Sequence, residues 1–368
     1  VKPLEGVRVI ELARILAGPW CGQLLADLGA EVIKIERPGK GDDTRQWGPP
    51  FVHDANGDNL GAAYYHSANR GKQSLAIDIA SEAGQAAVRA LVADADVLIE
   101  NYKVGGLKRY GLDYASLAAI NPRLVCCSIT GFGQNGPYAD RAGYDYLAQG
   151  MGGFMSLNGD PSTPPQKAGI AYADIFTGVY SGVAILAALR RRDATGSGAH
   201  IDMALLDTQV AVLANQALNW MVSGEVPQQL GNAHPNLAPY QTFAAANGDL
   251  IIAVGNDAQF GRLCEVLGLA LADDARFATN PARVANRETL AGIVGQAVAG
   301  WSKGALSDAL EAVGVPAGPI NRINEAFADA QIVHRGMAIE RDGVPGVASP
   351  IVIDGERMVS DRGSPPLP

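Results

Sequence analysis

The chain has 368 residues, a hydrophobic fraction of 48%, a charged fraction of 18% and a formal charge of −9. That length allows two domains and a large core, while the acidic balance argues against a nucleic-acid partner, which calls for a basic face. The four cysteines are scattered at 21, 126, 127 and 264, and no CxxC or His-x-x-x-His spacing occurs, so neither a metal site nor a disulfide framework is indicated. Reduced thiols and the absence of an apolar signal segment at the start lead us to expect a cytoplasmic location.

VRVIEL (7–12) reads as a strand, and Gly18-Pro19 then opens a helix that Gly29 ends. EVIKIE (31–36) and QSLAIDI (73–79) are the next strands, followed by a helix from Ser81 to about Ala95. DVLIEN is a strand, a helical segment follows, and LVCCSIT (124–130) is a further strand in which Cys126 and Cys127 point to opposite faces. This alternation predicts parallel pairing with right-handed crossovers, an α/β layer fold. Helices are expected around 175–192 and 201–222; the apolar run 179–189 within the first is too short to span a bilayer, so no membrane partner is expected. A Pro/Gly/Asn-rich link, VPQQLGNAHPNLAPYQ, leads into TFAAANGDLIIAV, where Asn247-Gly248 marks a hairpin. Helices recur to about Val313. The expected organisation is a large domain over 1–225, a smaller α+β domain over 226–325, and a return to the large domain over 326–368.

The α/β half lacks the usual nucleotide signatures. ELARILAGPWCG carries only Gly18 and Gly22 after the first strand, so the dinucleotide fingerprint fails, and neither GKGDD nor RGKQS completes a P-loop. Basic residues do recur near strand ends: Arg37, Arg70, Lys72, Lys103, Lys108 and Arg109. Ligands of open α/β sheets bind there, and arginine suits phosphate. Taken singly these are solvated surface charges; as a set in an acidic protein they point to a polyanionic ligand.

One acid stands apart. In AGIAYADIFTG (168–178) Asp174 sits among alanines, glycines and hydrophobes, directly before VYSGVAILAAL. It either caps a helix or does chemistry, and its immediate neighbours leave both open.

The chain resembles the class III coenzyme A transferases, which also include α-methylacyl-CoA racemases. The resemblance rests on LAGPWCGQLLADLGAEVIKIERPGKGDDTR, NRGKQSLAID, DVLIENYKVGGLKRYGLDY, NPRLVCCSITGFGQNGPY, RAGYDYLAQGMGG, AYADIFTG and RRDATGSGAHIDMALLD, with HPNLAPYQTF and DARFATNPARVANRETL further on. It implies a Rossmann-like large domain with a parallel sheet, a smaller domain and an interlocked homodimer. It implies no permanently bound cofactor, with coenzyme A or acyl-CoA and a small carboxylic acid as substrates. Asp174 matches the acid that becomes acylated. Arg37, Asn101 and Arg109 fall on CoA-contacting positions, Leu16 falls beside the thioester, and Arg70, Lys72 and Arg141 are added for the phosphates.

On this reading Asp174, with a reference pKa of ~3.9, is ionised and attacks a thioester carbonyl. A helix starting at Ile175 would keep it so through its dipole. GFGQNG (131–136) and QGMGG (149–153) would supply backbone donors for the oxyanion. A racemase is the alternative, but its histidine base falls where Tyr144 stands, and a phenol with a pKa of about 10 is a poor base. His200 is expected in a structural turn, while His234 lies in a link able to reach the site. A non-catalytic CoA-binding protein is the second alternative, against which the retention of Asp174 argues. The expected activity is an acyl-CoA:carboxylate CoA-transferase acting on a short dicarboxylic acid.

Overall fold

The structure, a computed structural model, describes all 368 residues. β1 (Arg8–Glu11), α1 (Ala17–Asp27) and β2 (Glu31–Glu36) form the first crossover unit. A hairpin of β3 (Phe51–His53) and β4 (Asn59–Ala62) and the one-turn α2 (Ala63–His66) precede β5 (Lys72–Ala76). The alternation continues through α3 (Glu82–Ala93), β6 (Val97–Glu100), α4 (Tyr114–Ile120) and β7 (Val125–Thr130). Ser81 starts α3 as expected, its hydroxyl accepting the Gly84 N–H at 3.0 Å. Beyond β7 lie α5 (Asp145–Met151), α6 (Phe154–Leu157), α7 (Tyr172–Thr195), β8 (Ala199–Ala204), α8 (Leu205–Ala211) and α9 (Asn215–Ser223).

Six strands pair in the order β5-β2-β1-β6-β7-β8, every pair parallel. Strand order therefore reverses between β1 and β6. Loops leaving neighbouring strands at such a point run in opposite directions, which opens a crevice at the carboxyl edge. Alternate strand residues feed two cores. Val9, Val97, Val125 and Cys127 pack with Cys21 and Leu25 of α1 and Ile185 and Leu189 of α7. Ile10, Leu98 and Cys126 pack with Val88 and Val92 of α3 and Leu117 of α4. Burial on both faces explains why these strands read as continuous apolar runs, and Cys126 and Cys127 do face opposite ways. All four cysteines are free and buried.

Two elements differ from the sequence reading. The helix expected around 201–222 is not continuous: residues 199–204 form β8, with His200 opposite Cys126 and Ile201 opposite Cys127 in β7, and α8 and α9 follow as two separate helices. α7 begins at Tyr172 rather than Ile175 and runs for 24 residues. It is thus long and apolar enough, by length and composition, to cross a bilayer. One face of it, including Ala173, Thr177, Ser181, Ile185 and Leu189, is nevertheless buried within the protein.

The chain packs as two units, one of residues 1–154, 167–213 and 330–368, the other of 155–166 and 214–329. The second holds an antiparallel sheet of β9 (Tyr240–Ala245), β10 (Gly248–Ala253) and β11 (Ala317–Pro319), with Asn247 and Gly248 at the β9–β10 turn. Its core gathers Phe243, Ile252, Phe260, Leu263, Leu290 and Leu306. In the first unit the C-terminal stretch contributes the hairpin β12 (Ala338–Arg341) and β13 (Val344–Val347).

Candidate active site

A cavity of about 610 Å³ opens at the strand-order reversal. Residues 14–17 after β1 form one wall and residues 101–106 after β6 another, with Arg109 beyond. Ile129 and Thr130 at the end of β7, Gly131, Ala139 and residues 141–144 after it, together with Asp174 and Leu205, complete the lining. Five of the eight candidate site residues meet here, Leu16, Asn101, Arg109, Arg141 and Asp174, with Lys103 and Tyr144 beside them. Arg37, Arg70 and Lys72 do not line it.

Asp174 is the third residue of α7, not its cap. The capping position is Ala171, which has no side-chain acceptor, so the cap comes from a distant residue. Asp145 Oδ1 accepts the backbone N–H groups of Ala173 at 2.8 Å and Asp174 at 3.2 Å, while its Oδ2 accepts Gln149 Nε2 at 2.6 Å. The capping alternative for Asp174 is thereby set aside. Its ionisation also differs from expectation. Burial, then the negative charge of Asp145, pushes the Asp174 carboxyl up to about 7. These two effects outweigh the helix dipole, which acts the other way.

Tyr64 of α2 belongs to the same neighbourhood. Burial, followed by the charges of Asp174 and Asp145, pushes its phenol up to about 12, so it remains an O–H donor near both carboxylates. Its ring meets Trp47 edge-on at 5.2 Å. Sequence reasoning missed Asp145 and Tyr64. For Asp145 a signal was present, since it directly follows Tyr144 in RAGYDYLAQ; for Tyr64, in GAAYYHS, none was.

The loop after β1 is pinned residue by residue. Arg14 N–H donates to Asn101 Oδ1 at 3.0 Å, and Asn101 Nδ2 donates back to Arg14 O at 2.7 Å. Asn101 thus clamps backbone. Ile15 adopts φ 73°, and its N–H lies 3.3 Å from each Asp42 carboxylate oxygen. Leu16 is buried at the start of α1, its carbonyl accepting the Trp20 N–H at 2.7 Å.

The basic residues fall into two groups. Arg109 and Arg141 are exposed on the cavity wall, held over the rings of Tyr110 at 4.5 Å and Tyr138 at 4.4 Å. Arg37 is exposed and outside the lining: burial raises the Tyr102 phenol, and the charges of Arg14 and Arg37 act against that rise. Arg70 and Lys72 are buried. Arg70 forks onto Asp27 at 3.1 and 2.7 Å and reaches Val347 O at 2.8 Å, tying in the C-terminal hairpin. Lys72 meets Glu11, Pro19 O and Asn69 at 3.0 Å or less, which uses all three of its protons. The phosphate role expected of these two does not fit such surroundings.

The glycines divide similarly. Gly131 lines the cavity and touches Gly143 so closely that a Cβ on either would strike the other's backbone. Gly133 N–H is taken by Thr130 Oγ1 at 2.9 Å and Gln134 N–H by Asp202 at 3.0 Å, so these amides are unavailable to an oxyanion. None of residues 149–153 lines the cavity. No histidine lines it either. His200 sits in β8, not a turn, with Nε2 2.9 Å from Ser128 Oγ and its ring stacked on Tyr114 at 4.8 Å. His234, in the second unit, accepts the Asn236 N–H through Nδ1 at 3.0 Å.

Known proteins share both the sequence and the architecture. The sequence model described as CoA-transferase family III matches residues 4–367. The succinate–glutarate CoA-transferase of Agrobacterium fabrum is 57% identical over 371 residues, covering 99% of this chain and 93% of that protein. The succinyl-CoA:glutarate CoA-transferase of Mus musculus is 42% identical over 100% of this chain and 84% of its own length. The crystal structure of a CAIB/BAIF family protein from Brucella suis superposes with a TM-score of 0.89 at 56% identity, covering 100% of this chain and 96% of that one.

Proposed function

The chain belongs to CoA-transferase family III, and on that premise we propose that it moves coenzyme A between short dicarboxylic acids, with Asp174 acylated on the way. The observation that carries this reading is a half-buried carboxylate, with no cation paired to it, in the wall of a cavity at the sheet's strand-order reversal.

An Asp174 oxygen attacks the thioester carbonyl carbon, the C–S bond breaks and CoA leaves as thiolate, giving a mixed anhydride. The thiolate then attacks the Asp174 carbonyl, the donor acid leaves as a carboxylate, and Asp174 becomes a CoA thioester. The incoming carboxylate repeats these two exchanges in reverse order. No net proton is needed, which suits a site whose cavity holds no histidine. The raised pKa of about 7 makes the ionised Asp174 a stronger nucleophile than an ordinary carboxylate.

The names of the relatives favour succinyl-CoA as donor and glutarate or a similar diacid as acceptor. Arg109 and Arg141 are placed on the anionic part of CoA, because both are exposed, unpaired with an acid and held at the cavity by aromatic rings. The working form is a homodimer. Val179, Val183 and Leu186 form an exposed apolar stripe on α7 with Tyr180 beside it, the kind of surface a second copy covers.

Hydroxylamine added during turnover with succinyl-CoA tests the acylation directly. It should convert Asp174 to a hydroxamate visible in the mass of its peptide. An unmodified Asp174 in an enzyme that hydroxylamine inactivates elsewhere would overturn the assignment.

A further inference from the structure

We propose that Asp42 is a positioning residue for CoA transfer: it holds the Ile15 backbone in its left-handed conformation and thereby fixes where the first amides of α1 stand in the cavity that Asp174 lines.

Ile15 is β-branched and adopts φ 73°, a region that such residues avoid because Cβ crowds the neighbouring carbonyl. A residue stays there only when its surroundings over-determine it. Asn101 fixes Arg14 on one side, and the Trp20 N–H holds Leu16 O at 2.7 Å on the other. Of these hydrogen bonds only those to Asp42 are made by the strained residue itself, with both oxygens 3.3 Å from the Ile15 amide nitrogen.

Asp42 is in turn immobile. It is 3% exposed, with Lys34 Nζ 2.9 Å away, and it accepts Thr44 N–H at 3.0 Å and Thr44 Oγ1–H at 2.8 Å. Lys34 is fixed by Glu11 at 2.9 Å and Ala13 O at 2.8 Å. A rigid chain of contacts thus runs from β1 and β2 to the amide of Ile15. An ionised acceptor makes the stronger bond to that amide. Residues 15–17 line the same cavity as Asp174. Leu16 and Ala17 stand at the start of α1, where amides have no partner within the helix. A shift in Ile15 moves them relative to the bound thioester.

This inference rests on Asp174 as the nucleophile. The experiment compares Asp42→Ala, Asp42→Asn and the double variant Asp42→Ala with Ile15→Gly, measuring kcat and KM for succinyl-CoA alongside thermal stability. Asp42→Ala should lower kcat on the order of tenfold or more, with KM much less affected. Adding Ile15→Gly should restore most of the lost kcat, because glycine takes positive φ without a Cβ penalty. Asp42→Asn keeps an acceptor but loses the ion pair with Lys34, so it should retain more kcat than Asp42→Ala while still losing stability. If stability falls with kcat unchanged, or if Ile15→Gly restores nothing, the proposal is overturned. Should Asp42→Ala not fold, the same comparison is made with Asp42→Asn, where an unchanged kcat overturns it equally. Failure of the nucleophile reading is seen separately, as an active Asp174→Asn enzyme.

Discussion

The Oδ1 of Asp145 accepts the backbone N–H of Asp174 at 3.2 Å, so one carboxylate caps the helix that carries the other. The cap satisfies amides that α7 leaves open, and its charge opposes ionisation of Asp174. The pH dependence of the enzyme follows from the burial of Asp174 together with that opposition.

In the free enzyme kcat/KM for the acyl-CoA should rise with pH through about 7 as Asp174 ionises. Asp145→Asn keeps a capping oxygen and removes the charge, so the rising limb should move to lower pH. A pH–rate profile that stays in place would show that burial alone sets the Asp174 value.

Asp174→Asn should abolish transfer in a folded protein that still binds CoA. Its stability effect has a definite sign. The folded-state value of about 7 lies above that of an ordinary carboxylate, so the folded state holds the proton more tightly and loses stability as pH rises towards 7. Asparagine cannot ionise, and the variant should therefore melt at or above the wild-type temperature at pH 8. Because Asp174 is not the cap of α7, Asp174→Ala should not show the ~1 kcal/mol loss typical of a removed cap. Differential scanning calorimetry of both variants at pH 5 and pH 8 checks this.

Arg109→Glu and Arg141→Glu should weaken CoA binding without loss of fold, since both side chains are exposed and only stack on rings. Comparing CoA with dephospho-CoA by calorimetry tells which of them meets the 3′-phosphate. An unchanged affinity removes that arginine from the cofactor.

Arg70→Met should behave in the opposite way. It leaves Asp27 buried without its guanidinium, which destabilises by about 3 kcal/mol, whereas KM for acyl-CoA in the remaining folded enzyme should not change. Urea melts and steady-state kinetics on one preparation separate the two effects.

The contrast between Arg109 and Arg70 shows what a sequence reveals and what it hides. Both are arginines near a strand end, but Arg70 finds Asp27 across 43 residues of chain, a pairing that no local pattern records. β6 and β7 were legible because burial on both faces leaves long apolar runs, and β2 because EVIKIE alternates. β8 was not: its alternation over AHIDMA runs without a turn into the helical pattern of LLDTQVA, and the longer period masked the shorter. Asp174 stood out through its isolation. Its acidity did not, because Asp145, the charge that helps raise it, lies on α5, 29 residues away. Asp42 and Ile15 likewise meet only through the fold, 27 residues apart.

The buried thiols give the protein a built-in clock for its own opening. Cys21, Cys126 and Cys127 lie in the core of the first unit and Cys264 in that of the second. Burial raises all four thiols, Cys127 to about 12, so an alkylating reagent finds almost no thiolate while the chain is folded. Each modified cysteine therefore timestamps an unfolding event. The ratio of label on Cys264 to label on Cys126, followed by peptide mass, reads out whether the two units open together or one before the other.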